Sequence, residues 1–302
     1  MASNFDIGAR PDEMVTVVIP AYNAATSISA AINSARQYVG GEIVVVDDGS
    51  TDQTAAIAEE MGTLLIRQRN QGPFAARATG IAAVKTEFSI FLDSDDELLE
   101  TWTAALKQII QNPDAVVVGG SVLFIGRRVS RLTRPLQERE TTLSLLRRDF
   151  APFPPSAYLW RTESLLASNR SQIPPLNPRF SEDYEMLIRA SMHGEVWSVT
   201  APFAKYRVVG GRSVLNASAT VADAESIRRY YSGVLGVEVP LLDDLGRRRA
   251  AAWRIAMSAY YDRGARSAVT SAMQNPVILP QLVRRVLQRL WLTLRRVNSS
   301  KA

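Results

Sequence analysis

Cysteine is absent from the 302 residues, and histidine occurs once, at His193. The first absence excludes disulfides, thiolate metal sites and thiol nucleophiles. The second excludes a multi-histidine metal centre. Any metal must therefore be hard and oxygen-bound, such as Mg2+ or Mn2+. His193 precedes Gly194 at an expected helix end and reads as a surface or capping residue. No apolar run approaches the roughly 20 residues that span a bilayer. Residues 1–14, MASNFDIGARPDEM, lack the apolar stretch of a secretory signal, so the expected location is cytoplasmic. A glycine-rich basic phosphate loop is also missing, since the first strand runs into IPAYNAATS.

What is present describes a folded α/β protein. Hydrophobic residues make up 46% of the chain, enough for a large core and too many for a disordered one. The net charge is +5, but the arginines concentrate after about residue 127 while the first hundred residues are rich in aspartate and glutamate. That balance names no partner. No aromatic-interleaved basic patch appears, so nucleic acid is not expected. The stretch LVRRVLQRLWLTLRRV (282–297) places Val283, Val286, Leu287, Leu290, Leu294 and Val297 on one helical face and arginines on much of the other. Such a face can pack on the rest of the protein or lie on an anionic membrane surface.

Through residue 120 strands and helices alternate. VTVVIP (15–20), EIVVVD (42–47), TLLIRQ (63–68), EFSIFLD (87–93) and AVVVGGSVLF (115–124) read as strands, separated by helical patterns. This rhythm implies a mainly parallel sheet covered on both faces, with ligands bound beyond the carboxyl ends of its strands. Those ends carry Pro20-Ala21-Tyr22-Asn23, Asp47-Asp48-Gly49-Ser50 and Asp93-Ser94-Asp95-Asp96, with Arg77 on the helix after the third strand. From 121 to 215 the alternation fades into proline-rich patches, interrupted by the acidic RFSEDYEMLIRASMHG (179–194). After 216 the chain is helical and basic.

The rim residues have chemical and structural readings side by side. Carboxylates as close as those of DSD repel, and a divalent cation relieves that conflict while clamping phosphate oxygens. A solvated acidic turn at a helix N-terminus would have the same sequence. In VVVDDGSTD (44–52) a strand-end carboxylate can accept hydrogen bonds from a base or ribose, and Gly49 permits a tight turn. Ser50, Thr51 and Asp52 can cap the next helix. Tyr22 can stack on a nucleobase or be partly buried, and Arg77 can face a ligand or snorkel.

Taken in order, IPAYN, VVDDGSTD, the N-x-G-x-x-x-A-R-x-x-G pattern from Asn70 to Gly80, FLDSDD and EDYE resemble the GT-A glycosyltransferases of family 2, over about residues 15–210. The resemblance implies a Rossmann-like α/β fold, a nucleotide-diphosphate sugar donor, a divalent metal (Mg2+ or Mn2+) and inverting transfer to an acceptor hydroxyl. That acceptor would be a saccharide, a lipid-linked or another hydroxyl, in surface polysaccharide or glycolipid synthesis. It also implies a nucleotide-sugar site of Pro20, Ala21, Tyr22, Asn23, Asp47, Asp48, Arg77, Asp93 and Ser94. Within it Asp48 reads the base, Arg77 lies near the base and phosphates, and Asp93 approaches the ribose. Asp95 would hold the metal, Asp183 would be the general base, and Glu182 and Trp160 would border the acceptor. The expected division is a nucleotide-sugar half (1–120), an acceptor and base half of the same domain (121–215) and a basic helical extension (216–302), the last allowing peripheral contact with the inner face of the membrane. One departure stands out: YRVVGGRSVLN (206–216) lacks the histidine that many relatives carry after the Tyr-Arg pair, leaving Arg207 or Arg212 to meet the diphosphate. A sugar nucleotidyltransferase and a non-catalytic binding module are the rival readings. The first is disfavoured by the missing phosphate loop, the second by the joint presence of Asp95 and Asp183.

Overall fold

The structure, a computed structural model, describes residues 11–148, 150–208 and 211–278. Its first part runs β1 (Val15–Ala21), α1 (Ile28–Tyr38), β2 (Ile43–Asp47), α2 (Thr54–Glu60), β3 (Leu64–Arg67), α3 (Pro73–Ala83) and β4 (Phe88–Phe91). The middle holds β5 (Glu97–Leu98), α4 (Thr103–Gln111), β6 (Ala115–Ile125), β7 (Ser130–Thr133), β8 (Arg139–Glu140), α5 (Thr142–Leu146), β9 (Tyr158–Arg161), α6 (Thr162–Asn169), α7 (Glu182–Ser191) and β10 (Glu195–Arg207). Among the described residues four helices follow, α8 (Arg212–Leu215), α9 (Ala217–Leu235), α10 (Asp244–Arg263) and α11 (Ala265–Gln274). The arginine-faced 282–297 stretch lies outside the described residues.

One mixed sheet carries the architecture, in the order β3-β2-β1-β4-β9-β6-β10-β5, with β7 beside β6 and β8 beside β10. Strands β3, β2, β1 and β4 are mutually parallel, as the β/α rhythm requires. Strands β1, β2 and β4 are buried along their whole length, which matches their uninterrupted apolar runs and helices on both faces. Register sets the rim: Ala21 lies opposite Asp47, and Asp47 opposite Arg67. Val18 lies opposite Phe91, which carries Asp93 just past the strand end.

The irregular middle region differs from expectation. AVVVGGSVLF does not follow β4 directly in the sheet; the short β9, YLWR, inserts antiparallel between β4 and β6. Strand β10 then pairs parallel with β6, interrupted by register shifts at Val199/Pro202 and Pro202/Ala204. The sheet is therefore parallel from β3 to β4 and mixed beyond it. Helix α9 packs on α5 and α7 and buries Tyr231 and Arg228 against them, so the first helix of the extension shares the main core.

Candidate active site

Loops after β1 and β2 are laced together by side chains. Asn23 N donates to Ser50 Oγ at 2.9 Å, Thr51 N to Asn23 Oδ1 at 2.8 Å, and Ala24 N to Thr54 Oγ1 at 2.7 Å. Asp52 accepts from Ala25 N at 3.1 Å and from Thr54 N at 3.0 Å, so it ties the two loops and serves the start of α2. Asp47 accepts from Ser50 N at 3.1 Å. Gly49 has a φ of +76°, and a Cβ there would sit 2.9 Å from Asn70 N, so a larger residue would strain the backbone and push the neighbouring loop away. Tyr22 emerges from this lacing 51% exposed, on the rim beyond buried Pro20 and Ala21.

Asp48 is buried, and its carboxylate holds the loop before α3. Oδ1 accepts from Gln68 Nε2 at 2.7 Å and Gln71 N at 2.9 Å, and Oδ2 accepts from Gly72 N at 2.8 Å. A carboxylate offers about four lone-pair sites, so one remains on Oδ2 for a ligand. Its structural work on the 68–72 loop was not visible in the sequence.

Arg77 does not snorkel. Its side chain is 6% exposed, with Nη2 2.7 Å from Asp93 Oδ1 and Nη1 3.3 Å from Glu182 Oε1. One guanidinium thus joins α3, the end of β4 and the start of α7. Asp93 N donates to Ser156 Oγ at 3.0 Å, and that hydroxyl donates to Asp96 Oδ2 at 2.6 Å. Asp96 also accepts from Arg207 N at 3.0 Å, and Arg207 Nε donates to the Asp95 carbonyl at 3.3 Å. The DSDD segment is thereby fixed from two sides, by Ser156 and by the end of β10. Nothing in the proline-flanked PPSA singles out Ser156.

Asp95 stands exposed at its turn, and partial desolvation by the surrounding protein, then the charge of Asp93, pushes its carboxyl above the usual range, against the pull of Arg207. Asp183 is pushed up to about 6, first by burial and then by Glu182, with Arg77 opposing. The Tyr206 phenol is raised well above its usual range by burial and then by Asp96, Asp93, Asp95 and Asp183. The geometric link between the two acidic segments is Arg77, which pairs with Asp93 on one side and Glu182 on the other, each within two residues of Asp95 and Asp183. Across from Asn70–Phe74, the loop held by Asp48, stand Pro178, Arg179 and Glu182, with a cleft of about 400 Å3 between them. Asp48 reaches that cleft through the loop it holds, and Asp183 through its neighbour Glu182.

Two expected residues have other surroundings. Trp160 is 1% exposed within β9, edge-on to Phe91 and tilted against Tyr158, so it offers an acceptor no open surface. Ser94 is half-buried in the turn after β4. Among the described residues no group of three carboxylates or histidines is placed to hold a metal by itself.

The family model for glycosyl transferase family 2 matches residues 16–168, just over half of the chain. The chain belongs to that family. It is 34% identical over 121 residues to glycosyltransferase GlyA of Streptococcus pneumoniae, an alignment covering 37% of this chain and 17% of that protein. It is 40% identical over 124 residues to the succinoglycan biosynthesis protein ExoO of Rhizobium meliloti, covering 36% of each. A longer match, 25% identical over 275 residues and 84% of both chains, is to a GalNAc(5)-diNAcBac-PP-undecaprenol beta-1,3-glucosyltransferase of Campylobacter jejuni. The first two alignments span well under two thirds of those relatives. Among solved structures, the S. aureus TarS fragment 1–349 in complex with UDP-GlcNAc superposes with a TM-score of 0.54 at 19% identity, covering 82% of this chain and 73% of that one. Such a likeness carries the fold: the large flanked sheet is that of the family. Glu182 and Asp183, the expected acceptor and base residues, lie beyond the stretch matched by the family model.

Proposed function

We propose that this chain is an inverting glycosyltransferase that moves a sugar from a nucleotide-diphosphate donor to an acceptor hydroxyl, in surface polysaccharide or glycolipid synthesis. The observation that supports the reading is the Arg77 bridge, which ties Asp93 at the end of β4 to Glu182 at the start of α7, next to the half-buried Asp183, whose carboxyl is pushed up to about 6. Direct displacement at the anomeric carbon needs a base for the incoming hydroxyl, stabilisation of the departing diphosphate, and alignment. Asp183 takes the acceptor proton, and its raised pKa makes it a stronger base than an ordinary aspartate. Tyr22 offers a face for the nucleobase, Asp48 and its loop shape the nucleotide side of the cleft, and Asp93 with Arg77 fixes the sugar and phosphate end. Glu182 flanks the base towards the acceptor.

A hard divalent ion fits the donor set, because Asp95 is an oxygen ligand whose ionisation is disfavoured by Asp93 and favoured by a cation. When bound, Mg2+ or Mn2+ neutralises charge on the leaving diphosphate. With one protein carboxylate at that position, the donor's own phosphate oxygens complete the coordination. The relatives favour a uridine diphosphate sugar as donor and a lipid-linked saccharide as acceptor: TarS was crystallised with UDP-GlcNAc, and the Campylobacter relative is by name a glucosyltransferase on an undecaprenol-linked glycan. Cytoplasmic location, with contact of the 282–297 stretch on the inner face of the membrane, belongs to the same proposal. No helix among the described residues is long and apolar enough to cross a membrane.

The test is product analysis with UDP-glucose and UDP-N-acetylglucosamine, with and without Mn2+. Release of UDP that falls at least about a hundredfold in Asp183→Asn supports the reading. Release of pyrophosphate from a nucleoside triphosphate and a sugar phosphate would replace it with nucleotidyl transfer, and binding without turnover would reduce the chain to a module.

A further inference from the structure

Ser181, the residue before Glu182 and Asp183, has φ +60° and ψ +27°, a left-handed conformation uncommon for a residue other than glycine. Such a backbone costs on the order of 1–3 kcal/mol and persists only where its surroundings over-determine it. The surroundings here come from α9. Phe180 N donates to Asp223 Oδ2 at 2.7 Å, and Ser181 Oγ donates to the Thr220 carbonyl at 3.2 Å. On the other side of the turn the Ser181 carbonyl accepts from Tyr184 N and Glu185 N, both at 3.1 Å, which starts α7. One turn later Tyr231 of α9 donates to Glu185, and Glu185 pairs with Arg189 at 3.1 Å; all three side chains are buried. Helix α9 is itself anchored to α5, where Arg228 Nε donates to the Leu146 carbonyl at 2.8 Å.

We propose that Asp223, on the first long helix of the C-terminal extension, is a positioning residue for Asp183: by accepting the Phe180 N–H it fixes the left-handed turn at Ser181 and so aims the carboxylate that follows. The inference rests on Asp183 being the base. The bond is charge-assisted, which makes it stronger than a neutral contact with the same N–H. It acts two residues before Glu182, so its loss swings the start of α7 while leaving the loops around Tyr22, Asp48 and Asp95 untouched. Asp223 is not among the residues that line the cleft. The extension is thereby part of the catalytic apparatus, acting through the backbone.

Asp223→Ala, Asp223→Asn and Asp223→Glu are made in the full chain beside Asp183→Asn, and UDP release from the better of UDP-glucose and UDP-N-acetylglucosamine is followed with Mn2+. Displacement of a catalytic group by about 1 Å can cost on the order of a hundredfold in rate. Asp223→Ala is expected to lower kcat about 10- to 100-fold while the donor KM stays within about twofold. Asp223→Asn, whose amide oxygen still accepts from Phe180 N, is expected to recover most of that loss. Asp223→Glu keeps charge and acceptor but moves them by one methylene; it reads the same geometry should the alanine variant fold poorly, and is expected to fall between the two. A pH profile separates aiming from plain stability. Asp183 is faced by Glu182, Arg77, Asp93, Tyr158 and Tyr206, and a carboxylate swung away from that enclosure loses the burial that raises it. The acidic limb of kcat/KM in Asp223→Ala is therefore expected at lower pH than in the parent. If Asp183→Asn is inactive while Asp223→Ala and Asp223→Glu keep the parent's kcat and pH profile, the positioning role is wrong and the base stands. If Asp183→Asn turns over like the parent, the base reading falls, and this inference falls with it.

Discussion

The most informative single group is Asp183, because in its proposed role as base its environment sets catalysis and stability against each other. An unfolded aspartate titrates near pH 3.9, whereas the folded one is pushed up to about 6 by burial and by Glu182. A raised carboxylate binds its proton more tightly in the native state. Its unfavourable contribution is therefore nil below about pH 4, grows as pH rises, and is complete above about 6. The active, ionised form appears over the same window. Expected behaviour follows on both axes. Log kcat/KM for UDP release should fall with unit slope below about pH 6 and level off above it. Asp183→Asn, though inactive, should melt at a higher temperature than the parent at pH 7.5, with the difference shrinking towards pH 4. A flat acidic limb, or a variant that melts lower at pH 7.5, would contradict the assignment. Arg77 limits how far the effect goes: without its Nη1 and Nη2 between Glu182 and Asp93, three carboxylates would face one another in a partly dehydrated site.

At the level of elements, the parallel half of the sheet was legible because each strand there is an unbroken apolar run ending in a polar turn. VTVVIP and EIVVVD leave little choice, and the strand-end rule then locates Tyr22, Asp48, Asp93 and Asp95. The region from 121 to 215 was not legible, for a physical reason. Strand β9 is four residues long, between a proline-rich turn and a helix, and its partners lie on β4 and β6, far away in sequence. Periodicity cannot register pairing of that kind, so YLWR was not read as a strand between β4 and β6. The left-handed Ser181 and its Asp223 clamp were hidden likewise, since backbone hydrogen bonds across 43 positions leave no local trace. The α3–sheet contact shows how tightly the legible half is built. Gly80 faces β1 and β2, and a Cβ there would lie 2.3 Å from Val18 Cγ1 and 3.1 Å from Val46 Cγ2. Both neighbours are β-branched strand residues with little rotamer freedom. Overpacking of this sort costs about 1–3 kcal/mol, against a helix-propensity gain of up to about 1 kcal/mol for alanine over glycine. Gly80→Ala should therefore lower the urea midpoint by an amount equivalent to about 1–2 kcal/mol. It should also raise the donor KM, because α3 carries Arg77 less than one turn earlier. Unchanged or increased stability would show that α3 sits off the sheet more loosely than these distances allow.

For the molecule as a whole, the distribution of charge poses a problem that the proposed ligand must solve. The net charge is +5, yet the strand-end rim and the start of α7 carry Asp48, Asp93, Asp95, Asp96, Glu182 and Asp183, with the buried Arg77 paired to Asp93 and Glu182 and the Arg207 N–H given to Asp96. A nucleoside diphosphate brings further negative charge to that rim. The arginine-rich remainder of the surface can draw such an anion from a distance, but attraction beyond a Debye length of about 8 Å is largely screened at physiological salt. On the proposed reading a cation at Asp95 offsets this repulsion at close range. Ligand-linked stability reads this directly, since a ligand that binds only the folded chain adds about 2.7 kcal/mol at a hundred times its Kd. In a protein of this size that amounts to a rise in Tm of about 5 °C or more. UDP with Mn2+ should give such a rise. UDP with EDTA should give a much smaller one, and Mn2+ alone little, because among the described residues no cluster holds a metal without the nucleotide. Asp95→Asn should erase the difference between Mn2+ and EDTA while keeping the small metal-independent shift, which Tyr22 and the Asp48 loop supply. Equal shifts with Mn2+ and EDTA in the parent would mean that the diphosphate is met by arginine instead, with Arg207 the first residue to substitute.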